Sequence, residues 1–374
     1  AAVAAGGGVA GGGLAGGGMP SPMEPVARVA AADLHPDDFV RQFVAENTPV
    51  ILEGALSPDW QGPMAWTPEA LARLAPPGAS VRVAPLMEDG RDKWVESADL
   101  WPGASDLEAL PGVLHEDRVL AVAASRIEVP VEDFAASLQG AGPLPSLYAD
   151  GASNLQHSFG FLSGHLPEAP KVGSALTFKR VDLWLGGRTL STLHFDNVEN
   201  LFVQLVGSKE FLLCPPGDTG KLVDGRLRKA YATWSPGPDG RAGSFARSAE
   251  GLSSEAVLNY AAYDVLDPPP EYAERASKLR PVRVVVRPGE VLFLPFGWWH
   301  QVRALPAESG LCASAACFYE PFFCRFQPRA WTEPGPVLPN PKYKKLCERL
   351  GLEADSDGDC GDEPTDPRIL SSGG

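Results

Sequence analysis

Between residues 176 and 319 the sequence breaks into short apolar runs, 176–185, 200–206, 211–213, 282–286, 291–294 and 313–319, each closed within two residues by Gly or Pro. Runs this short, rich in β-branched and aromatic residues, suit strands better than helices. Several short strands with few long helices argue for an antiparallel barrel or a two-sheet sandwich. The expected fold is therefore mainly β, and 40 Gly and 37 Pro serve partly as its turn residues.

The N-terminal third reads differently. Residues 1–34 form an Ala/Gly-rich leader that cannot offset the entropy of ordering, so disorder is expected there. After His35, Pro36 with Asp37 and Asp38 opens a short amphipathic helix carrying Phe39, Val40, Phe43 and Val44. A buried strand follows at 48–54, a helix capped by Thr67 and Pro68, and a strand at 81–84. Residues 88–117 are polar and irregular and read as a surface insertion, and 130–140 has Pro at its start and Gly at its end, as a helix would. These signals divide the chain into the leader, one large domain over 35–330 and an extension over 331–374 with an acidic, disordered end. Within the domain, a helix-and-strand part spans 35–145 and the β core spans 146–330.

Charge and cysteine usage narrow the function classes. A formal net charge of −15 disfavours sequence-independent binding of nucleic acid. No run of about 18 strongly apolar residues is present, so no membrane-spanning helix is expected. Six cysteines without a CxxC pair read as reduced thiols, and the six histidines do not join them at zinc-finger spacings. A cytoplasmic or nuclear location is expected, with the leader open to a targeting role.

Two histidines stand apart from the rest. Residues Leu193, His194, Phe195 and Asp196 form an extended stretch in which positions i and i+2 share a face, so an imidazole and a carboxylate point the same way. A second imidazole would complete a set of two His and one carboxylate, which holds a metal from one side and leaves adjacent positions open, as in non-haem Fe(II) oxygenases. His300 offers it, after the run 291–294 and the residues PFGWW. Each part alone has a plain alternative: an HxD pair arises by chance, and a His behind two Trp is commonly a packed core residue. His35, His115, His157 and His165 lie in polar text and read as surface or capping residues.

The surrounding text is more specific. Leu183 to Gly186 (LWLG) leads into STLHFD, followed by ENL, GSKEFLLCPP and RPGEVLFLPFGWWHQV, with FVAENTPVILEGAL near the N-terminus. From about residue 37 to 323 this resembles the JmjC family of the cupin superfamily, in its branch of small JmjC-only hydroxylases. The resemblance implies a double-stranded β-helix, or jelly-roll, with flanking N-terminal helices, that binds Fe(II) and takes 2-oxoglutarate and O2 as co-substrates. It places His194, Asp196 and His300 as iron ligands. It assigns Lys209 to the distal carboxylate of 2-oxoglutarate, joined by Tyr148 and by a hydroxyl from Ser191 or Thr192, and Asn200 to a polar position beside the metal. One departure stands out: where relatives commonly carry Asn shortly before an aromatic pair, this chain has Ala316.

The implied activity is hydroxylation of a side chain, lysine first, on a partner protein. An N-methyl-lysine demethylase using the same chemistry and a non-catalytic metal-binding cupin are the alternatives, and a tRNA base as substrate is disfavoured by charge. Family members often form homodimers. The long stretch between the two halves of the triad, 219–280, contains Tyr231, Trp234, Tyr260, Tyr263, Asp264 and Asp267 and is expected to form an acidic substrate rim.

Overall fold

The structure, a computed structural model, describes residues 25–32, 34–104, 119–141, 144–151, 154–222, 227–237, 243–257, 259–323 and 339–352. The leader up to residue 24, His115 and the acidic end from residue 353 lie outside the described residues. Eight strands form the centre: β1 (Phe178–Gly186), β2 (Leu190–His194), β3 (Glu199–Val206), β4 (Ser208–Cys214), β5 (Val282–Val286), β6 (Val291–Leu294), β7 (Trp299–Leu305) and β8 (Cys312–Tyr319). They pair antiparallel in two facing sheets, β6-β3-β8-β1 and β5-β4-β7-β2. The chain changes sheet at every step except between β4 and β5, where residues 215–281 intervene. This is the jelly-roll that the punctuated runs anticipate.

Alternation along the strands sorts side chains to the two faces. On β3, Phe202 points between the sheets, where it meets Phe211, Leu292, Val302, Ala316 and Phe318. Its neighbours Leu201, Val203 and Leu205 point outward and pack with Phe39, Phe43 and Trp60 of the N-terminal part. Because helices and turns cover that outer face, all eight residues of β3 are buried. Each large apolar side chain so enclosed contributes roughly 1.5–3 kcal/mol.

The first sheet grows to nine strands. Val50–Glu53 and Ala27–Ala30 extend it beyond β6, and Leu147–Asp150, Ser80–Pro85 and Ile127–Pro130 extend it beyond β1. A third sheet joins Lys93–Ser97, Val119–Ala124, Leu227–Pro236, Gly243–Ala246 and Leu252–Val257.

Three expectations on boundaries need correction. The leader does not run to residue 34, since Ala27–Ala30 pairs parallel with Val50–Glu53, and Arg28 bonds Glu290 and the Val285 carbonyl at 2.8 Å. Nor is 88–117 wholly irregular. Lys93–Ser97 is a strand, and the buried indoles of Trp94 and Trp101 both donate to Glu96 in a small core of their own. The extension from 331 is no appendage over its described part, because Tyr343, Leu346, Cys347 and Leu350 join the main core.

Candidate active site

His194 ends β2 and lies directly across from His300 on β7. Between that pair and the next, Ser191 opposite Val302, β2 spends one residue more than β7. This bulge brings Ser191 and His194, three positions apart, to the same inward face. Asp196 follows in the turn after β2, where its carbonyl accepts from the Gly297 N–H at 3.1 Å. One donor atom from each of His194, Asp196 and His300 lies within 4.8 Å of the others.

The imidazoles are set for ligation. His194 Nδ1 lies 2.7 Å from the Thr192 carbonyl, and His300 Nδ1 lies 3.0 Å from the Trp298 carbonyl. A carbonyl only accepts, so each Nδ1 carries the proton and each Nε2 keeps a free lone pair. Burial, reinforced by the neighbouring His300, pushes the His194 pKa down to about 4, which keeps this ring neutral at physiological pH. Tyr260 stacks on His194 with ring centroids 5.8 Å apart and shields it.

Lys209 enters the same interior from β4. It is 3% exposed and, among the described residues, has no carboxylate and no hydrogen-bond acceptor; its ammonium lies 5.1 Å from the centre of the Phe202 ring. Burial lowers its pKa to about 8. Holding a cation there without an anion is costly, so the position suits an anionic ligand.

Tyr148, buried on Leu147–Asp150, lies across from Gly186 of β1 with Ser191 beside its hydroxyl; burial raises its phenol well above the ordinary range. Only Gly leaves room at 186, because a Cβ would sit 2.7 Å from the tyrosine ring. The two hydroxyls of β2 part company: Ser191 faces Tyr148, whereas Thr192 donates to the Lys93 carbonyl in the third sheet. Asn200 points inward from β3, and its Oδ1 is buried without a partner.

Some of the lining escaped the sequence reading. Gln204 Oε1, Ser314 Oγ and Asp182 Oδ1 are also buried and unpartnered. They lie on the inward face, since Gln204 opposes Ser314 and Asp182 opposes the inward Ala316. Strand alternation was their only signal in the sequence. Ala316 contributes only its methyl to the wall, so no amide projects there. Three ligand atoms, a lone ammonium and the hydroxyls of Tyr148, Ser191 and Ser314 in one interior fit a metal ion together with a dicarboxylate.

Charged side chains gather beside Tyr148. Asp150 accepts from Lys93 at 2.8 Å and from Arg126 at 2.7 Å, and Asp92 lies 3.4 Å from Lys93. Against the burial that raises it, these cations hold the Asp150 pKa at about 2. Of the acidic rim expected over 219–280, Asp264 pairs with Arg91. Tyr263 does not belong to it, being buried, stacked on Tyr272 and bonded to the Lys221 carbonyl.

Residues 36–325 match the cupin-like domain family. The human bifunctional peptidase and (3S)-lysyl hydroxylase JMJD7 is 28% identical over 300 residues, covering 76% of this chain and 81% of the human protein. The Arabidopsis thaliana lysine-specific demethylase JMJ32 is 28% identical over 151 residues, 37% of this chain and 41% of that protein. The Drosophila melanogaster Jumonji C domain-containing protein 5 is 28% identical over 142 residues, 37% of this chain and 29% of its own length. With the jelly-roll and the His-Asp-His cluster in place, the chain belongs to the cupin-like family, among its JmjC oxygenases.

Proposed function

We propose that the protein is an Fe(II)- and 2-oxoglutarate-dependent oxygenase that hydroxylates a side chain, lysine first, of a partner protein. The observation that carries this reading is Lys209, a buried ammonium without a partner in the same interior as three convergent metal-ligand atoms. His194, Asp196 and His300 would hold the iron. Lys209, Tyr148 and Ser191 would receive the distal carboxylate of the co-substrate, with Asn200 beside the metal. Bound together, iron and 2-oxoglutarate supply the activation of O2, with release of succinate and CO2.

The protein's own contribution is arrangement. The Nδ1 bonds keep both imidazoles in the ligating tautomer, and Phe202, Phe211 and Phe318 keep water from the interior. Lysine as the target is supported by the name of the human relative. Demethylation of N-methyl-lysine is the second reading, favoured by the Arabidopsis relative.

Purified protein given Fe(II), 2-oxoglutarate and lysine-containing peptides should release succinate, and His194→Ala should not. Equal release by both sinks the oxygenase reading and leaves a non-catalytic cupin. Peptide mass then separates the outcomes, since hydroxylation adds one oxygen and demethylation removes a methyl group.

A further inference from the structure

Glu199 is a buried carboxylate that the reaction does not use. It opens β3, three residues after Asp196, and is 0% exposed. Both of its oxygens are taken by backbone: Oε2 accepts from the Phe296 N–H and Oε1 from the Phe322 N–H, each at 2.9 Å. Phe296 lies in the link between β6 and β7, four residues before His300, and Phe322 lies just beyond the end of β8. Burial pushes the Glu199 pKa up to about 7, so the site retains a group that is expensive to bury.

We propose that Glu199 is a positioning residue for the metal centre, fixing the β6–β7 link so that His300 meets His194 and Asp196. Two ligand-bearing segments cross at this point. Gly297 donates to the Asp196 carbonyl at 3.1 Å, and the preceding residue, Phe296, is held by Glu199. The indoles of the following residues anchor outward, Trp298 to the Asn47 carbonyl at 2.8 Å and Trp299 to Thr219 at 2.9 Å. Glu199 is the charged member of this set. A carboxylate has acceptors on both oxygens and, when ionised, no donor, so it can satisfy two converging N–H groups at once. Gln would accept from one and set its own N–H₂ against the other. The chemistry of the contact therefore explains why Glu stands at this position.

The inference rests on the reading of His194, Asp196 and His300 as a metal site, and Co(II) tests the two separately. Affinity is measured by calorimetry and ligand geometry by the visible spectrum of the Co(II) complex, without turnover. Glu199→Gln should weaken Co(II) binding at least tenfold and alter the spectrum. Asn154→Ala is the matched control: Asn154 also makes two buried side-chain bonds to backbone, both to Leu183, but on the outer face of β1. It should lower the thermal midpoint while binding Co(II) within twofold of wild type. If wild type takes up no Co(II), the metal-site reading falls and the clamp falls with it. If wild type and Glu199→Gln bind alike with the same spectrum, the positioning role alone is overturned. Should Glu199→Gln not fold, Glu199→Asp, one methylene too short to reach both N–H groups, replaces it, and wild-type affinity and spectrum in that variant overturn the proposal.

Discussion

At Lys209 one side chain carries opposite consequences for stability and for function. Its pKa falls from 10.5 when unfolded to about 8 when folded, so between those values the unfolded chain binds more protons. Stability without co-substrate should therefore rise as pH rises from 8 towards 10.5, by about 3 kcal/mol over the window at roughly 1.4 kcal/mol per unit. Lys209→Met should abolish that rise, leave the protein more stable at pH 7, and raise the 2-oxoglutarate KM at least tenfold. Thermal melts between pH 7 and 10 check the first two outcomes and succinate kinetics the third. A variant that loses stability at pH 7, or keeps its KM, would show that the ammonium finds its partner within the protein. Ala316 gives a complementary case. It is fully buried among Phe202, Phe211 and Phe318, so Ala316→Asn would overfill the wall. Melting should show a loss of about 1–3 kcal/mol, with no gain in co-substrate affinity by calorimetry.

Among elements, β2 shows what was legible in the sequence and what was not. The closeness of Asp196 to His194 was readable because the two are only two positions apart in the chain, and His300 was readable because the text around it matches a family. Whether Ser191 or Thr192 faces the interior was not, because a bulge against a strand more than a hundred residues away decides it. The third sheet was hidden for a similar reason. VLAVAA at 119–124 is rich in Ala and joins the sheet through its parallel partner Leu227–Pro236, distant in sequence. The bulge makes a prediction that separates the neighbouring hydroxyls. Ser191→Ala should raise the 2-oxoglutarate KM severalfold with little change in melting temperature. Thr192→Val should do the reverse, costing about 1 kcal/mol through its lost bond to the Lys93 carbonyl. Equal effects on KM would mean that the register of β2 differs from the one described.

Over the whole molecule, the jelly-roll owes its stability to what wraps it as much as to its own two sheets. A domain limit at residue 330 leaves out part of the core, to which Tyr343, Leu346, Cys347 and Leu350 belong. Asn340 donates to the Phe322 carbonyl at 2.7 Å, the Tyr343 hydroxyl donates to the Glu320 carbonyl at 2.8 Å, and Arg349 pairs with Asp37 at 2.9 Å. The helix Lys344–Leu350 has seven residues, too short to persist in water without the surface it covers. That surface includes the Phe39 and Val40 region, so the C-terminal helix and the first N-terminal turn close over the same sheet. Burying Tyr343, Leu346 and Leu350 contributes roughly 5–9 kcal/mol at 1.5–3 kcal/mol each, comparable with the whole stability of an average domain. Leu346→Ala should therefore cost about 2–5 kcal/mol in denaturant unfolding. The same variant should bind Co(II) as wild type does, because Leu346 packs in the main core with Tyr343, Cys347 and Leu350, whereas the three ligands stand on β2, the turn after it and β7. Removal of residues 339–374 should yield protein that does not fold, seen as loss of a cooperative melt, and a truncated chain with a normal melt would restore the limit at 330.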